Sequence, residues 1–238
     1  MQQIHIYVAL LFVMLFPSQR SAAQIDARQE ARSIFRKYER STGISFKAVI
    51  QMYPAGNAAR QIDQVEAAYT LQGGLYYCRM ANIEIIHNRE ANLVIDHDDK
   101  VILVGKYHRA QQKSDQEEAA YNLQPLFARM ELDSVQYAVT TKGADRQLSI
   151  SGMSDPRIVK YRLVYDPATY LLRQLLIEMK PEDSTYGNGN IIVDIRYSQY
   201  SQVPKPVAFF SGSKYLQIQG KQAVLQPAYR SYRLVNQL

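Results

Sequence analysis

In the run Ile191-Ile192-Val193-Asp194-Ile195-Arg196-Tyr197-Ser198, Ile191, Val193, Ile195 and Tyr197 fall on one side, and Asp194, Arg196 and Ser198 on the other. A period of two marks a β-strand with one apolar and one wet face, because successive side chains of a strand point to opposite sides. The run Val159 to Tyr165 repeats the pattern, with Val159, Tyr161, Leu163 and Tyr165 opposed to Lys160 and Arg162. Between the two lies Leu171 to Met179, apolar on both sides except at Arg173, Gln174 and Glu178. The turn Asp166-Pro167-Ala168-Thr169 and the polar loop Pro181 to Asn190 join the three. Links this short make antiparallel neighbours rather than parallel crossovers.

The same period extends toward the N-terminus. Phe46, Ala48, Ile50 and Met52 alternate with Lys47, Val49 and Gln51 until Pro54-Ala55-Gly56-Asn57 breaks the strand. Further strands are predicted at Val65 to Leu71, Leu75 to Met80 beyond the Gly73-Gly74 turn, Asn82 to His87, Leu93 to Asp96 and Val101 to Val104. His87-Asn88-Arg89-Glu90 and His97-Asp98-Asp99-Lys100 are the intervening turns. Val135 to Thr141 and Gln147 to Ser151 form another hairpin, and short strands follow near Lys214 to Gln219, Val224 to Tyr229 and Tyr232 to Val235.

Two segments change the period to that of a helix. Asp26-Ala27-Arg28-Gln29 forms a capping box, after which Ala27, Ala31, Ile34, Phe35 and Tyr38 make one apolar stripe. Ser114-Asp115-Gln116-Glu117 opens a second helix through Ala119, Ala120, Tyr121 and Leu123, and Pro125 divides it from a short third near Leu126. A single stripe must be covered, most simply by a sheet. The expected fold is mainly β (α+β), a strongly curved antiparallel sheet or half-open β-barrel of about eleven strands with two or three helices against the concave face.

The 238 residues fit one large domain. Residues 1–23 are expected to be a cleaved signal peptide: Ile4 to Phe16 is apolar but short for a bilayer span, and Ser21-Ala22-Ala23 offers small residues before Gln24. The alternative is an uncleaved N-terminal anchor. Residues 24–238 then form the domain, with 203–238 as a C-terminal strand extension, in the periplasm or secreted. Eighteen Tyr, seven Phe and no Trp give most aromatic surface a hydroxyl, which suits strands with one wet edge. The formal net charge of +6 reads as spread along the chain, and no basic aromatic platform for nucleic acid stands out. The lone Cys78 excludes an internal disulfide and reads as a buried thiol. A monomer is expected.

Chemistry-bearing residues are few. Asp96-His97-Asp98-Asp99, with His87 and His108 nearby in sequence, could hold a divalent cation, but Asp and Asn favour tight turns for backbone reasons. Ser211-Gly212-Ser213-Lys214 matches a Ser-Lys arrangement only superficially, and Glu66, Glu84 and Glu178 are scattered strand carboxylates. No catalytic constellation, metal site or cofactor site is predicted, and the expectation is a non-enzyme. The strands Leu93 to Ile95, Val101 to Val104 and Leu171 to Ile177 are apolar on both sides. Either a second layer covers them or a cavity for an apolar ligand opens on one side.

The segments Phe46 to Val49, Gly74 to Arg79, Leu93 to Lys100, Tyr161 to Pro167, Leu171 to Leu175 and Asp194 to Tyr197, in the order helix, strands, helix, strands, resemble the outer-membrane lipoprotein carrier superfamily (LolA-like and LolB-like), of which the chain looks like a divergent member. The resemblance implies a periplasmic carrier that shelters lipid or lipoprotein acyl chains and releases them to a membrane acceptor without a cofactor. The expected lining is Phe46, Ala48, Ile50, Met52, Tyr161, Leu163, Ile195 and Tyr197, with Arg79 as a lid or switch over the mouth. The rival is a non-catalytic envelope protein binding a protein or glycan partner through Tyr215, Tyr229 and Tyr232. A metal-dependent hydrolase acting through Asp96 to Asp99 is the third reading.

Overall fold

Helix α1 (Ala27–Glu39) starts where the capping box places it: the Asp26 carboxylate accepts from the backbone N–H of Arg28 and Gln29 at 3.0 and 3.1 Å. The computed structural model describes residues 25–105, 135–153, 155–181 and 189–238. The signal segment, His108 and the second and third helices expected near Ser114 and Leu126 lie outside the described residues.

Fourteen strands follow among the described residues. A first meander comprises β1 (Ile44–Pro54), β2 (Asp63–Gln72), β3 (Leu75–Met80), β4 (Ile83–His87), β5 (Asn92–Asp96) and β6 (Val101–Gly105). A second comprises β7 (Gln136–Lys142), β8 (Asp145–Ser151), β9 (Ile158–Tyr165), β10 (Leu172–Met179) and β11 (Ile191–Ser201). The tail adds β12 (Leu216–Gln219), β13 (Gln222–Leu225) and β14 (Arg233–Gln237). Twelve of them form one large curved, unclosed sheet in the order β14-β6-β5-β4-β3-β2-β1-β11-β10-β9-β8-β7, and β12 and β13 form a separate hairpin.

The two meanders are spliced where β1 meets β11, with Ala48 opposite Tyr197, Ile50 opposite Ile195 and Met52 opposite Val193. The Gly73-Gly74 turn has φ of 55° and 84°, the left-handed conformation that a two-residue hairpin demands. His87 ends β4 as expected, and the turn follows it. One sequence expectation needs correction. The sheet is not wholly antiparallel: β14 runs parallel to β6, Arg233 opposite Val101 and Gln237 opposite Gly105, because the tail crosses back over the sheet before it pairs.

Alternation along the strands builds two cores. The concave face carries Phe46, Ala48, Tyr69, Tyr76, Cys78, Leu148, Tyr161, Leu175 and Ile195, packed with Ala31, Ile34, Phe35 and Tyr38 of α1. On the convex face of β4 to β6, Ile86, Leu93, Ile95, Ile102 and Val104 are covered by Tyr215 and Leu216 of the tail. The two-sided strands of the first meander thus have the tail as a layer on their convex side.

Candidate functional site

Seven of the eight predicted lining residues are buried in the concave cluster: Phe46, Ala48, Ile50, Tyr161, Leu163, Ile195 and Tyr197. Met52 is half-buried and packs against the same cluster. They share a face because Met52, Val193, Ile177, Tyr161 and Ile150 oppose one another across five neighbouring strands, as do Ile50, Ile195, Leu175, Leu163 and Leu148. Phe46 stacks on Tyr69 at 5.1 Å and meets Tyr197 edge-on at 5.6 Å. Burial pushes the Tyr197 hydroxyl well above its usual range, so it adds no charge to this apolar cluster. Cys78 belongs to it too, and burial raises its thiol to about 11, which fits a structural cysteine.

Two polar anchors fix α1 on this face. At its start, Glu30 accepts from Arg146 at 2.8 Å and from the Tyr165 hydroxyl. At its end, the Tyr38 hydroxyl bonds that of Tyr200 at 2.9 Å and accepts from Leu172 N–H at 2.8 Å, while Tyr200 donates to the Leu172 carbonyl at 2.8 Å. Burial lifts the Tyr38 hydroxyl to about 12, so it stays protonated at neutral pH. The helix is about 20 Å long and the twelve-strand sheet roughly 50 Å wide, so α1 spans only part of the concave face.

One end of the face has a methionine-rich rim that the sequence reading missed. Met52, Met80, Met153 and Met179, with Val65, Ile83 and Ile158, are half-buried and pack against the concave cluster. Register places Met52 and Met179 at one end of the strands, Met52 opposite Val193 and Met179 opposite Ile191 and Ile158, while Met80, opposite Ile83 and Ala67, ends its shorter strand level with Ala48. Methionine is unbranched and polarisable, so such a rim adapts to apolar ligands of varied shape. The available signal was that Met52, Met80 and Met179 each occupy the last or nearly last inward position of a strand.

Arg79 departs from its expected role. It is exposed, opposite Ala68 and Glu84 on the convex side, whereas its neighbours Cys78 and Met80 face the concave side. The period of two decides this, and the guanidinium points away from the mouth.

On that convex side, Glu84, read from sequence as a scattered carboxylate, is a buried hub. It accepts from Tyr77 Oη at 2.8 Å, His97 Nε2 at 3.0 Å and Lys214 Nζ at 3.2 Å, and the buried Tyr215 hydroxyl stands beside it. Burial opposes its charge, but the surrounding Tyr215, Tyr77, His97 and Lys214 outweigh that and hold the carboxyl at about 2. His97 Nδ1 meets the Tyr232 hydroxyl at 2.9 Å. The rings of Tyr215, Tyr229 and Tyr232 pack edge-to-face on one another at 4.8 and 5.1 Å, so the tyrosines expected to face a partner are engaged within the chain. Asp96 accepts from Asp98 N–H and Asp99 N–H at 2.9 Å each, the self-bonded turn that its sequence favours.

No known sequence family and no curated protein matches the chain. Similar solved structures include an uncharacterized conserved protein from Thermus thermophilus, 9% identical over 87% of this chain and 98% of that one, with a TM-score of 0.50. A LolA superfamily protein from Nitrosomonas europaea is 11% identical over 77% of this chain and 98% of its own, with a TM-score of 0.36. LprF from Mycobacterium bovis is 13% identical over 76% and 95%, with a TM-score of 0.35. At such identities the likeness concerns the fold alone.

Proposed function

We propose that the protein is a non-catalytic carrier of the cell envelope that holds an apolar ligand, a lipid or lipoprotein acyl chain, on the concave face of its sheet. The observation that carries this is the combination of an apolar, aromatic face wider than the helix α1 and half-buried methionines at one end. Burying an acyl chain against such a surface is worth about 0.8 kcal/mol per methylene, without any directional contact. Residues 1–23 deliver the chain to the periplasm in this reading, and no cofactor is needed.

The test is native mass spectrometry of the protein purified from envelope extracts, together with uptake of a fluorescent fatty acid. Bound lipid is expected, and Met52→Glu with Met179→Glu is expected to lower uptake in protein that still unfolds in one cooperative transition. A protein that is empty in repeated preparations and takes up no fatty acid would overturn the proposal.

A further inference from the structure

The chain's net charge is not spread as its sequence first reads. Arg196, Lys205, Lys214, Lys221, Arg230 and Arg233 fall in residues 195–238, where neither Asp nor Glu occurs. The remaining 22 basic and 22 acidic residues cancel, so the formal +6 resides entirely in this stretch. The same stretch holds all four large hydrophobic side chains exposed among the described residues: Val203 at 64%, Val207 at 72%, Phe209 at 39% and Val224 at 55%.

Three of these four project from a fixed strap. Gln72 clamps the strap's backbone, donating to the Lys205 carbonyl at 2.9 Å and accepting from Lys205 N–H at 2.7 Å. Phe210 is buried and its carbonyl accepts from Asn88 Nδ2 at 3.1 Å, while the exposed Phe209 leans edge-on against Tyr77 at 4.9 Å. Pro204 and Pro206 stiffen the segment. Lys205 stands exposed between Val203 and Val207, and Lys37 reaches Gln202 at 3.4 Å. Protruding apolar side chains on a rigid basic support complement a flat anionic surface whose interior is apolar. An acidic protein partner would explain the lysine and arginine residues but not the outward Val207 and Phe209.

We propose that the acid-free tail is a docking surface for an anionic phospholipid bilayer, with Val203, Val207 and Phe209 entering the headgroup boundary and Lys205 and its basic neighbours held by the negative lipids. This inference rests on the carrier reading only in giving the cargo a destination, since the docking contact is separate from the concave face.

The test is co-sedimentation of the purified protein with vesicles of phosphatidylglycerol and phosphatidylethanolamine, compared with phosphatidylcholine vesicles, at low and high salt. Binding is expected to the anionic vesicles and to weaken with salt. Val207→Asp combined with Phe209→Ser is expected to lower the partition coefficient by about tenfold or more. Lys205→Glu is expected to lower it several-fold, whereas Lys142→Glu, the same charge change at the exposed end of β7, leaves it unchanged. No wild-type binding, equal losses for Lys205→Glu and Lys142→Glu, or tail-dependent binding to envelope proteins but not to protein-free vesicles would each overturn the proposal. Fatty-acid uptake without vesicles separates the two readings. The Val207→Asp, Phe209→Ser protein should keep it, and a wild type that sediments with vesicles but takes up no fatty acid leaves docking standing while the carrier reading falls.

Discussion

His97 Nε2 and Glu84 Oε1 lie 3.0 Å apart, and the other nitrogen of the same imidazole meets the Tyr232 hydroxyl at 2.9 Å. One ring on the β5–β6 turn therefore connects a carboxylate of β4 to the last segment of the chain. With Lys214 on the second carboxylate oxygen, Glu84 fastens the tail to the convex face at two separate points.

Replacing Glu84 by Gln keeps the shape but removes the charge that Tyr77, His97 and Lys214 address, and should cost roughly 2 kcal/mol. The loss should be strongly pH-dependent. The folded carboxyl sits at about 2, below its ordinary 4.5, so its stabilisation is complete above about 4.5 and disappears as pH falls toward 2. Melting temperatures measured between pH 2 and 6 should separate wild type from Glu84→Gln at the upper end and converge at the lower.

Truncation after Gln202 should leave a sheet that cannot stay in solution. It uncovers Ile86, Leu93, Ile95, Ile102 and Val104, all within 1% of complete burial, each stabilised by about 1.5–3 kcal/mol when enclosed. Insoluble expression, or a soluble product that binds a hydrophobic dye strongly, is the expected outcome. A monodisperse, dye-silent fragment would show that the tail is dispensable for that core.

Gly43 has no room for a side chain. A Cβ there would stand 2.6 Å from the Cα of Pro204, a backbone atom that can yield only if the strap moves. Gly43→Ala should therefore destabilise by roughly 1–3 kcal/mol and speed hydrogen exchange of the Lys205 amide that Gln72 holds, whereas Gly143→Ala should not affect that exchange.

The end of α1 depends on one hydroxyl. Tyr38→Phe leaves Leu172 N–H without the acceptor it has and removes a partner from Tyr200. A loss of about 1–3 kcal/mol in urea unfolding, with an unchanged dependence on denaturant, is expected. An unaltered midpoint would mean that water replaces the phenol at no cost.

The strands and the concave face were legible because both follow from a period of two, a local property. Phe46 to Met52 and Ile191 to Tyr197 could be assigned to one face before their pairing was known. The convex hub was not legible, because Glu84 acquires its role from Lys214 and Tyr215, more than a hundred residues later, and no local pattern joins them. Arg79 failed for a related reason: a charged residue beside Cys78 has to face the other way, and the expected lid ignored that alternation. The rim was within reach, since methionine at the inward ends of strands is visible in the sequence, but only register shows that Met52 and Met179 come to the same end while Met80 stops level with Ala48. The basic tail required only a count of acidic residues by segment, in place of a net value for the whole chain.

The parallel pairing of Arg233–Gln237 with Val101–Gly105 has a consequence for how the molecule is made. A nascent chain emerges with β6 as an unsealed hydrogen-bonding edge, and that edge stays available until residues 233–237 arrive. The time between the synthesis of residue 105 and residue 233 is thus the interval in which this sheet is open to recruitment by another chain. Lengthening it, by slowing translation between residues 105 and 233, should raise misassembly without altering any contact of the finished protein.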